Sequence, residues 1–579
     1  MRTSEGLLRS YGALALSLTL AGVLNPAGAL PVGAALLALT LGARAVRGGG
    51  RSEAAGLPAW PHALLAMLAV AGALATPAQD CPDWYRGLGA AVAALALVLL
   101  AVHAAGTPSQ RRAAVLTLLG ARLLVLGAGI VAIPRPPIDV WQLGQHAVDH
   151  LLAGHNPYTT PTPDIYQGHF TLGHQALYPY APLNLILSVP ARVLLGDYRY
   201  GLWAALGGGV VLLRRAGRRL GADADVVDVA SLALVLHPSS ERLIIHGWTE
   251  PYLILLLGAL LYFHARAPGG VLATLCALSL PLLKQYCAVP ALLYLAMVRP
   301  RPRAVAAAVA VGVATMAPLL VWNARATIEG GLLFFVQRVQ FRGDSISLPA
   351  ALHAVLGWES GVGTALAVQV LVAAVLGVRL RHSGVGGYLA AAALALFAGL
   401  LVAPQAFMNY YFFVGAMLLG AAVALAPGAD EPRVERPTMA AALSRTWAAG
   451  LLVAAVGITG MWIDFRSMCS YDARFARERL ARGGAVLDSG PMTVSGSDSL
   501  FLCTVAHRLG PLRHDDALCI CADTPAAEVE EGLRRRGYAS VGCTLDHAPP
   551  ATSDDRGACR HGHCHRFLPS ARPQSEADR

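Results

Sequence analysis

Fifteen apolar runs follow one another along this chain, parted by polar breaks. They lie near 11–24, 29–43, 61–76, 87–105, 113–133, 200–213, 226–237, 251–264, 269–283, 286–298, 304–322, 361–379, 385–403, 411–426 and 441–463. A helix needs ~20 apolar residues to cross a bilayer. A chain written this way predicts an all-α polytopic membrane protein of 13–15 spans. Several runs are shorter than a full crossing, so their ends must be extended or tilted. Only 14% of the 579 residues are charged, against about 25% in an ordinary soluble domain. That composition excludes a soluble multidomain enzyme, a disordered protein and a disulfide miniprotein.

The charge is concentrated at one end of the sequence. Of 80 charged residues, 31 fall in the last 116 positions, from Asp464 onward. That density predicts a separate water-facing domain over 464–579, small, Cys-rich and mixed α and β, with Ala526–Arg536 as a helix. The net charge of +10 does not point to nucleic acid, because before the tail most basic residues sit in short clusters between apolar runs, as cytoplasmic loops do.

Parity tests the span assignment. With the N-terminus inside, the inner loops hold Arg44, Arg47 and Arg51, then Arg111 and Arg112, then Arg214, Arg215, Arg218 and Arg219. Arg266 follows, then Arg299, Arg301 and Arg303, then Arg379 and Arg381, and finally Arg433 and Arg436. Every short-loop basic cluster falls on one side, as the positive-inside rule requires. The apolar stretch 182–195, with Pro190 and Arg192, would reverse the later loops if it crossed. It is therefore read as an interfacial or re-entrant helix on the outer side. The first run serves as a membrane anchor, or as a signal peptide ending near Pro26-Ala27-Gly28-Ala29. The outer side then owns loops 134–199, 238–250, 323–360 and 404–410 and the tail. This predicts a multi-pass plasma-membrane protein with its chemistry and its C-terminal domain outside the cytoplasm.

Ten cysteines fit that sidedness. Cys276 and Cys287 lie in membrane runs, and seven lie in the tail, at 469, 503, 519, 521, 543, 559 and 564. Cys81, in an outer loop, makes an even eight, enough for four disulfides in an oxidising compartment. The rival use is a metal site in Cys559-Arg-His-Gly-His-Cys564-His565.

Asp139, in Pro134-Arg-Pro-Pro-Ile-Asp139-Val-Trp141, comes just after the fifth run. A carboxylate beside low-dielectric lipid becomes a better base; the plainer reading is a helix cap. Beyond it come Gly154-His-Asn156-Pro157-Tyr158 and Tyr178-Pro-Tyr180-Ala181-Pro182. An Asp after a span, a helix ending in Leu-x-Gly-x-Asn-Pro-Tyr and a Tyr-Pro-rich entry into an apolar helix, in that order, resemble the GT-C glycosyltransferases. In particular they resemble the bacterial polyprenyl-phosphate-mannose-dependent mannosyltransferases. The resemblance covers roughly 113–426 and implies a catalytic membrane core there, with 134–199 as its large outer loop. Residues 1–112 would be added N-terminal helices, and 427–463 a cytoplasmic loop with a last span. It implies Asp139 as the catalytic base, with Tyr178 among the substrate contacts. Two departures stand out: Tyr180-Ala181-Pro182 replaces Tyr-Pro-Pro, and Asn409, before Tyr410, stands where a late outer loop often carries His.

Lys284 is the one lysine among 45 basic residues. A lysine in an apolar run is costly; its readings are a snorkelling side chain or a point charge for a phosphate. The resemblance implies donor-phosphate binding. Arg338 and Arg342, spaced i and i+4 on one helix face, are read as further phosphate contacts or as interfacial snorkelling. Glu241, Arg242, His246 and Glu250 form a polar group between two runs, with Glu250 a substrate contact beside Asn409 and Tyr410. His146, Asp149 and His150 offer metal-ligand types, but a solvated helix face explains them more simply. No cofactor is demanded by the sequence, though a divalent metal is compatible with it.

The function implied is transfer of a hexose, mannose by resemblance, from a polyprenyl-phosphate donor to an extracytoplasmic glycan or glycolipid acceptor. The rival functions are a flippase or transporter of a lipid-linked sugar, which should show internal repeats, and a non-catalytic envelope scaffold.

Overall fold

A computed structural model describes residues 2–23, 60–74, 82–136, 138–162, 177–334, 341, 345–356 and 358–426, and three strands within 518–569. The chain divides into two compact units, Met1–Pro163 with His174–Gly457, and Asp164–Gly173 with Ile458–Arg579. The expected spans at 29–43 and 441–463, Arg338, Arg342, Cys81 and the helix expected at Ala526–Arg536 lie outside the described residues. So do the side chains of the tail cysteines.

In the first unit every described element is helical. The helices are α1 (Arg2–Val23), α2 (Trp60–Leu74), α3 (Asp83–Ala105), α4 (Pro108–Ala132), α5 (Asp139–Leu152) and α6 (Pro182–Leu195). There follow α7 (Arg199–Arg219), α8 (Ala224–Leu236), α9 (Pro238–Ile245), α10 (Glu250–Arg266), α11 (Val271–Ser279) and α12 (Ala288–Val298). The last are α13 (Pro302–Gly331), α14 (Leu348–Leu356), α15 (Val362–Arg379), α16 (Gly384–Leu401) and α17 (Met408–Leu425). In the second unit β1 (Leu518–Ala522), β2 (Tyr538–Val541) and β3 (His563–Pro569) form an antiparallel sheet in the order β1-β3-β2.

Among the described residues six helices, α3, α4, α13, α15, α16 and α17, are long and apolar enough to cross a membrane, as a multi-pass membrane protein requires. The bent pair α9–α10 brings the number to 7 if counted as one span. Three of the other described runs are built differently from simple crossings. The runs 269–283 and 286–298 are short helices meeting at an interruption, where Lys284 is extended between two 3₁₀ turns. Their far ends also meet, since the Arg301 N–H donates to the Gly269 carbonyl. They form a hairpin with Lys284 at its tip. The run 226–237 stops at Leu236, because Pro238 cannot continue a helix without loss of its backbone donor. The stretch 182–195 is a helix of 14 residues, about 21 Å long at 1.5 Å per residue, short of a crossing as expected.

The arginine-rich helix ends gather together. Arg111 at the start of α4 pairs with Asp225 at the start of α8 at 2.8 Å. Arg214, near the end of α7, pairs with Asp228 at 2.6 Å. Arg219 and Arg266 both stack on Tyr262. At the opposite end, fully buried Arg199 donates to the carbonyls of Ile133, Pro134 and Ile245 and holds Asp197 at 2.7 Å. One guanidinium thereby ties the ends of α4 and α9 to the start of α7. The packing thus gathers Arg111, Arg214, Arg219 and Arg266 at one end of the bundle.

The tightest helix contact is between α7 and α10. A Cβ on Gly258 would lie 2.5 Å from the Gly209 carbonyl oxygen, and one on Gly209 would lie 2.8 Å from the Ile254 oxygen. Small residues that admit backbone-to-backbone approach are a principal means of packing helices in lipid. Backbone cannot step aside, so Gly258→Val should destabilise by about 1–3 kcal/mol or more. Thermal unfolding in detergent reads this; an unchanged midpoint would show that the two helices are free to separate.

Candidate active site

Five separated stretches of chain converge at the Arg199 end of the bundle. Glu250 opens α10 and is fully buried. Its Oε1 accepts from Asn409 Nδ2 at 2.9 Å and from the Tyr286 hydroxyl at 3.4 Å, and Lys284 Nζ lies 3.4 Å away. The Lys284 ammonium also lies 4.5 Å from the Tyr180 ring centre and 5.7 Å from that of Tyr410. Such faces attract cations, more strongly where water is excluded. Tyr286 and Tyr410 in turn contact each other, with centroids 5.1 Å apart. A buried lysine is thus boxed by one carboxylate and two aromatic rings. The snorkelling reading fails, because Lys284 is 3% exposed.

Lys284 is held at this point by its own neighbours. Gln285 donates to the Gly331 carbonyl at 2.7 Å, tying the hairpin tip to the end of α13. Gln369 of α15 donates to the Tyr286 carbonyl. Asn409 takes its place through the preceding loop. There Ala406 N–H donates to Ser345 Oγ, Ile346 N–H to the Ala406 carbonyl, and the Tyr411 hydroxyl to the Ile346 carbonyl. Where the resemblance expects His, the Asn409 amide donates to Glu250.

Asp139 is the first residue of α5 and half-buried. Ile138 occupies the N-cap position without a side-chain bond, and Asp139 Oδ1 accepts from Val140 N–H at 2.8 Å, so Asp139 supports the first turn of α5 as the plainer reading expects. The Tyr198 hydroxyl donates to the Gly247 carbonyl at 2.8 Å and lies 3.3 Å from the Val140 carbonyl. That links the first turn of α5 to the turn between α9 and α10. Gly247 has φ +73°, and a side chain there would strike Tyr198. Tyr180 is the common neighbour of Asp139 and Lys284. Burial first, and the Asp139 carboxylate second, hold its phenol well above the ordinary tyrosine value.

Tyr178 is buried against Tyr158 and Tyr180, at centroid distances of 5.8 and 5.5 Å. The Asn-Pro-Tyr motif supports this loop: Asn156 Oδ1 accepts from Tyr158 N–H, and the Tyr158 hydroxyl donates to the Tyr180 carbonyl at 2.7 Å. The structure therefore brings together Glu250, Lys284, Asn409 and Tyr410 around Tyr180, with Tyr178 stacked on Tyr180 and Asp139 within electrostatic reach of it. Arg338 and Arg342 lie outside the described residues.

Glu241 is elsewhere. It is buried, and it binds Arg122 of α4 at 2.7 Å and the Tyr85 hydroxyl at 2.9 Å. Arg122 Nε also donates to the Val235 carbonyl, beside the break between α8 and α9. Sequence reasoning passes over Arg122, although a cation in the middle of the run 113–133 is itself a signal. It also passes over Arg199, Tyr180 and Tyr286. Arg242 lies beside Met408, next to Asn409.

On α5, Arg192 grips Asp149 through two contacts of 2.7 and 3.1 Å. His146 and His150 are neighbours with centroids 6.4 Å apart. Burial lowers the His146 pKa; Asp149 opposes this, and His150 and Arg192 add to it. Among the described residues no three of His, Cys, Asp and Glu are disposed to hold a metal ion.

No protein-family model, curated protein or solved structure matches the chain.

Proposed function

We propose that the chain transfers a hexose from a polyprenyl-phosphate donor to an extracytoplasmic acceptor hydroxyl. The observation that supports this is the buried cluster of Lys284, Glu250, Asn409 and Tyr180 at the bundle end away from the arginine clusters, with Asp139 within electrostatic reach of Tyr180. In the reaction, Asp139 takes the acceptor O–H proton as that oxygen attacks the sugar C1. The C1–O bond to phosphate breaks, and polyprenyl phosphate leaves with the bonding electron pair. One displacement inverts the anomeric centre. An ammonium has three donors; Glu250 uses one, and another can reach a phosphate oxygen and stabilise the leaving charge. Arg338 and Arg342 are proposed to add to it. Glu250, Asn409 and Tyr410 line the sugar side, with Tyr178 packed behind Tyr180. Mannose is the sugar suggested by the sequence resemblance. The positive-inside rule puts this end outside the cytoplasm of the plasma membrane.

The test is purified protein given radiolabelled polyprenyl-phosphate mannose and an envelope extract. Label should pass to an acceptor, with polyprenyl phosphate released in equal amount. The sharp bend of 118° between α9 and α10 also suits a transporter, in which broken helices form the substrate site. Sealed vesicles separate the two: label crossing intact on its lipid, with no transfer, overturns the transferase.

Lys284→Arg keeps the charge but replaces a compact ammonium by a planar fork. Loss of one charge-assisted hydrogen bond is worth ~1.5–3 kcal/mol. Transfer should therefore fall about 10- to 100-fold in kcat/KM. Unchanged kinetics would remove Lys284 from the phosphate site.

A further inference from the structure

Buried polar groups in a folded chain are paired, and one left without a partner needs a cause. Three side chains at the Arg199 end are left so. Asn184, in the first turn of α6, is 1% exposed, and neither its Oδ1 nor its Nδ2 has a hydrogen-bond partner among the described residues. Thr249 is 3% exposed and Glu250 fully buried, and Thr249 Oγ1 and Glu250 Oε2 likewise have none. Thr249 holds the N-cap position of α10, where a threonine hydroxyl ordinarily accepts from the first turn. With φ −89° and ψ 1° it makes no such bond. Its hydroxyl is therefore not spent on the helix.

Two routes bring Asn184 to the head of α10. Asn184 N–H donates to the Ala181 carbonyl at 3.2 Å, closing the turn after Tyr180, whose ring centre lies 4.5 Å from Lys284 Nζ. One turn further on, Ser188 Oγ donates to the Asn184 carbonyl at 2.8 Å and lies 3.4 Å from the Tyr252 hydroxyl. That hydroxyl donates to the Leu187 carbonyl at 3.1 Å, and Tyr252 N–H donates to the Thr249 carbonyl at 3.1 Å. Residues four apart share a helix face, so Asn184 is on the face of α6 that meets α10. The Tyr178 phenol is within electrostatic reach of that of Tyr252, as the Tyr180 phenol is of Glu250.

The unpaired atoms select their ligand by chemistry. The Asn184 amide both accepts and donates, the Thr249 hydroxyl does the same, and an ionised Glu250 oxygen only accepts. Phosphate oxygens carry negative charge, which Glu250 repels, and Lys284 already stands beside them as their cation. Hydroxyl groups fit better, since each donates and accepts at once. A sugar can donate to Glu250 Oε2 and to Asn184 Oδ1 and accept from Asn184 Nδ2, with Thr249 Oγ1 serving either way.

We propose that Asn184, Thr249 and the second oxygen of Glu250 bind the hydroxyl groups of the donor hexose, so that the heads of α6 and α10 hold the sugar while Lys284 holds the phosphate. The proposal rests on the lipid-linked hexose of the transferase reading. It has a consequence for the lipid-free chain. An unpaired buried amide costs the fold free energy, so Asn184→Leu, close in size and apolar, should leave the lipid-free unfolding midpoint unchanged or raised.

The experiment is equilibrium titration of the full chain in detergent with two probes, polyprenyl-phosphate mannose and polyprenyl phosphate without sugar. The wild type should bind the mannosyl lipid more tightly. Asn184→Leu should weaken the mannosyl lipid about 10- to 100-fold, the worth of one or two buried hydrogen bonds. Its affinity for the sugar-free lipid should stay at the wild-type value. Thr249→Val exchanges a hydroxyl for a methyl and should act in the same direction by about 3- to 10-fold; it decides the matter if Asn184→Leu does not fold. Equal affinity of the wild type for the two lipids overturns the hydroxyl site and leaves the phosphate site standing. So does a variant that binds the mannosyl lipid as the wild type does, or one that loses both lipids alike. A wild type that binds neither lipid overturns the transferase reading and the hydroxyl site together.

Discussion

Asp139→Asn should lower hexose transfer by ~10²–10⁴-fold, the usual worth of general-base assistance. The substitution keeps the shape of the side chain and an oxygen that can accept from Val140 N–H, as Asp139 Oδ1 does at 2.8 Å. It removes the group that takes the acceptor proton. Donor binding should survive, because Lys284 and Glu250 are carried by other elements. Folding should survive too, because the Asn amide oxygen can keep the first-turn contact with Val140 N–H. Asp149→Asn is the control. That carboxylate is occupied by Arg192 at 2.7 and 3.1 Å, so its loss should cost stability and leave turnover of the folded protein near normal. Single-turnover measurement with labelled donor separates chemistry from binding. Near-normal transfer by Asp139→Asn, with transfer abolished in Glu250→Gln, would move the base to Glu250. Indifference of all three carboxylates would end the enzyme reading.

Breaking the Arg122–Glu241 pair should destabilise the protein by about 3–5 kcal/mol. Removing one partner of a buried pair strands the other without compensation. In Arg122→Met, Glu241 loses the guanidinium at 2.7 Å, and the Val235 carbonyl loses the Arg122 Nε–H that reaches it at 3.0 Å. Glu241→Gln should cost less, since the amide oxygen can still accept from Arg122 while its NH2 donates to the Tyr85 hydroxyl oxygen. The double variant Arg122→Met with Glu241→Met should recover most of the loss. It should stop short of wild type by about 1 kcal/mol for the lost Arg122 bond to the Val235 carbonyl, which keeps Ser240 Oγ at 2.9 Å. Thermal unfolding in detergent, arranged as a double-mutant cycle, reads the coupling. Additive single effects would mean that the pair is loosely held.

Lys284 and Glu250 show where reading from sequence succeeds and where it stops. Both stand out by type and position: a lone lysine among arginines, and a Glu-Pro at a helix start. Parity puts both at the same end. Nothing in the sequence says that they touch, because they are separated along the chain and held together by Asn409, which arrives with α17. The roles assigned from sequence are therefore separate, a phosphate contact and a substrate contact, whereas the ammonium and Asn409 amide share one carboxylate oxygen. The same limit applies to Arg122 and Glu241, 119 positions apart. Side counting also treats every run as a simple crossing. It misses that α8 gives out at Pro238 and that α11 and α12 form a hairpin with its tip at Lys284. Hydropathy reports which residues avoid water, and a broken helix buried in protein avoids water as well as a straight one does. The Asn-Pro-Tyr motif is legible as a pattern, but the way it holds the Tyr180 loop, through the Tyr158 hydroxyl, needs coordinates.

The Gly209–Gly258 contact has a mechanical consequence. Side chains that interdigitate can change rotamer and let two helices slide; carbonyls pressed against glycine Cα atoms offer no such play. Helices α7 and α10 are thus a single stiff beam, bearing Arg199 at the head of one and Glu250 at the head of the other. A lipid-borne sugar that enters between Glu250 and its surroundings must do so while that beam stands still.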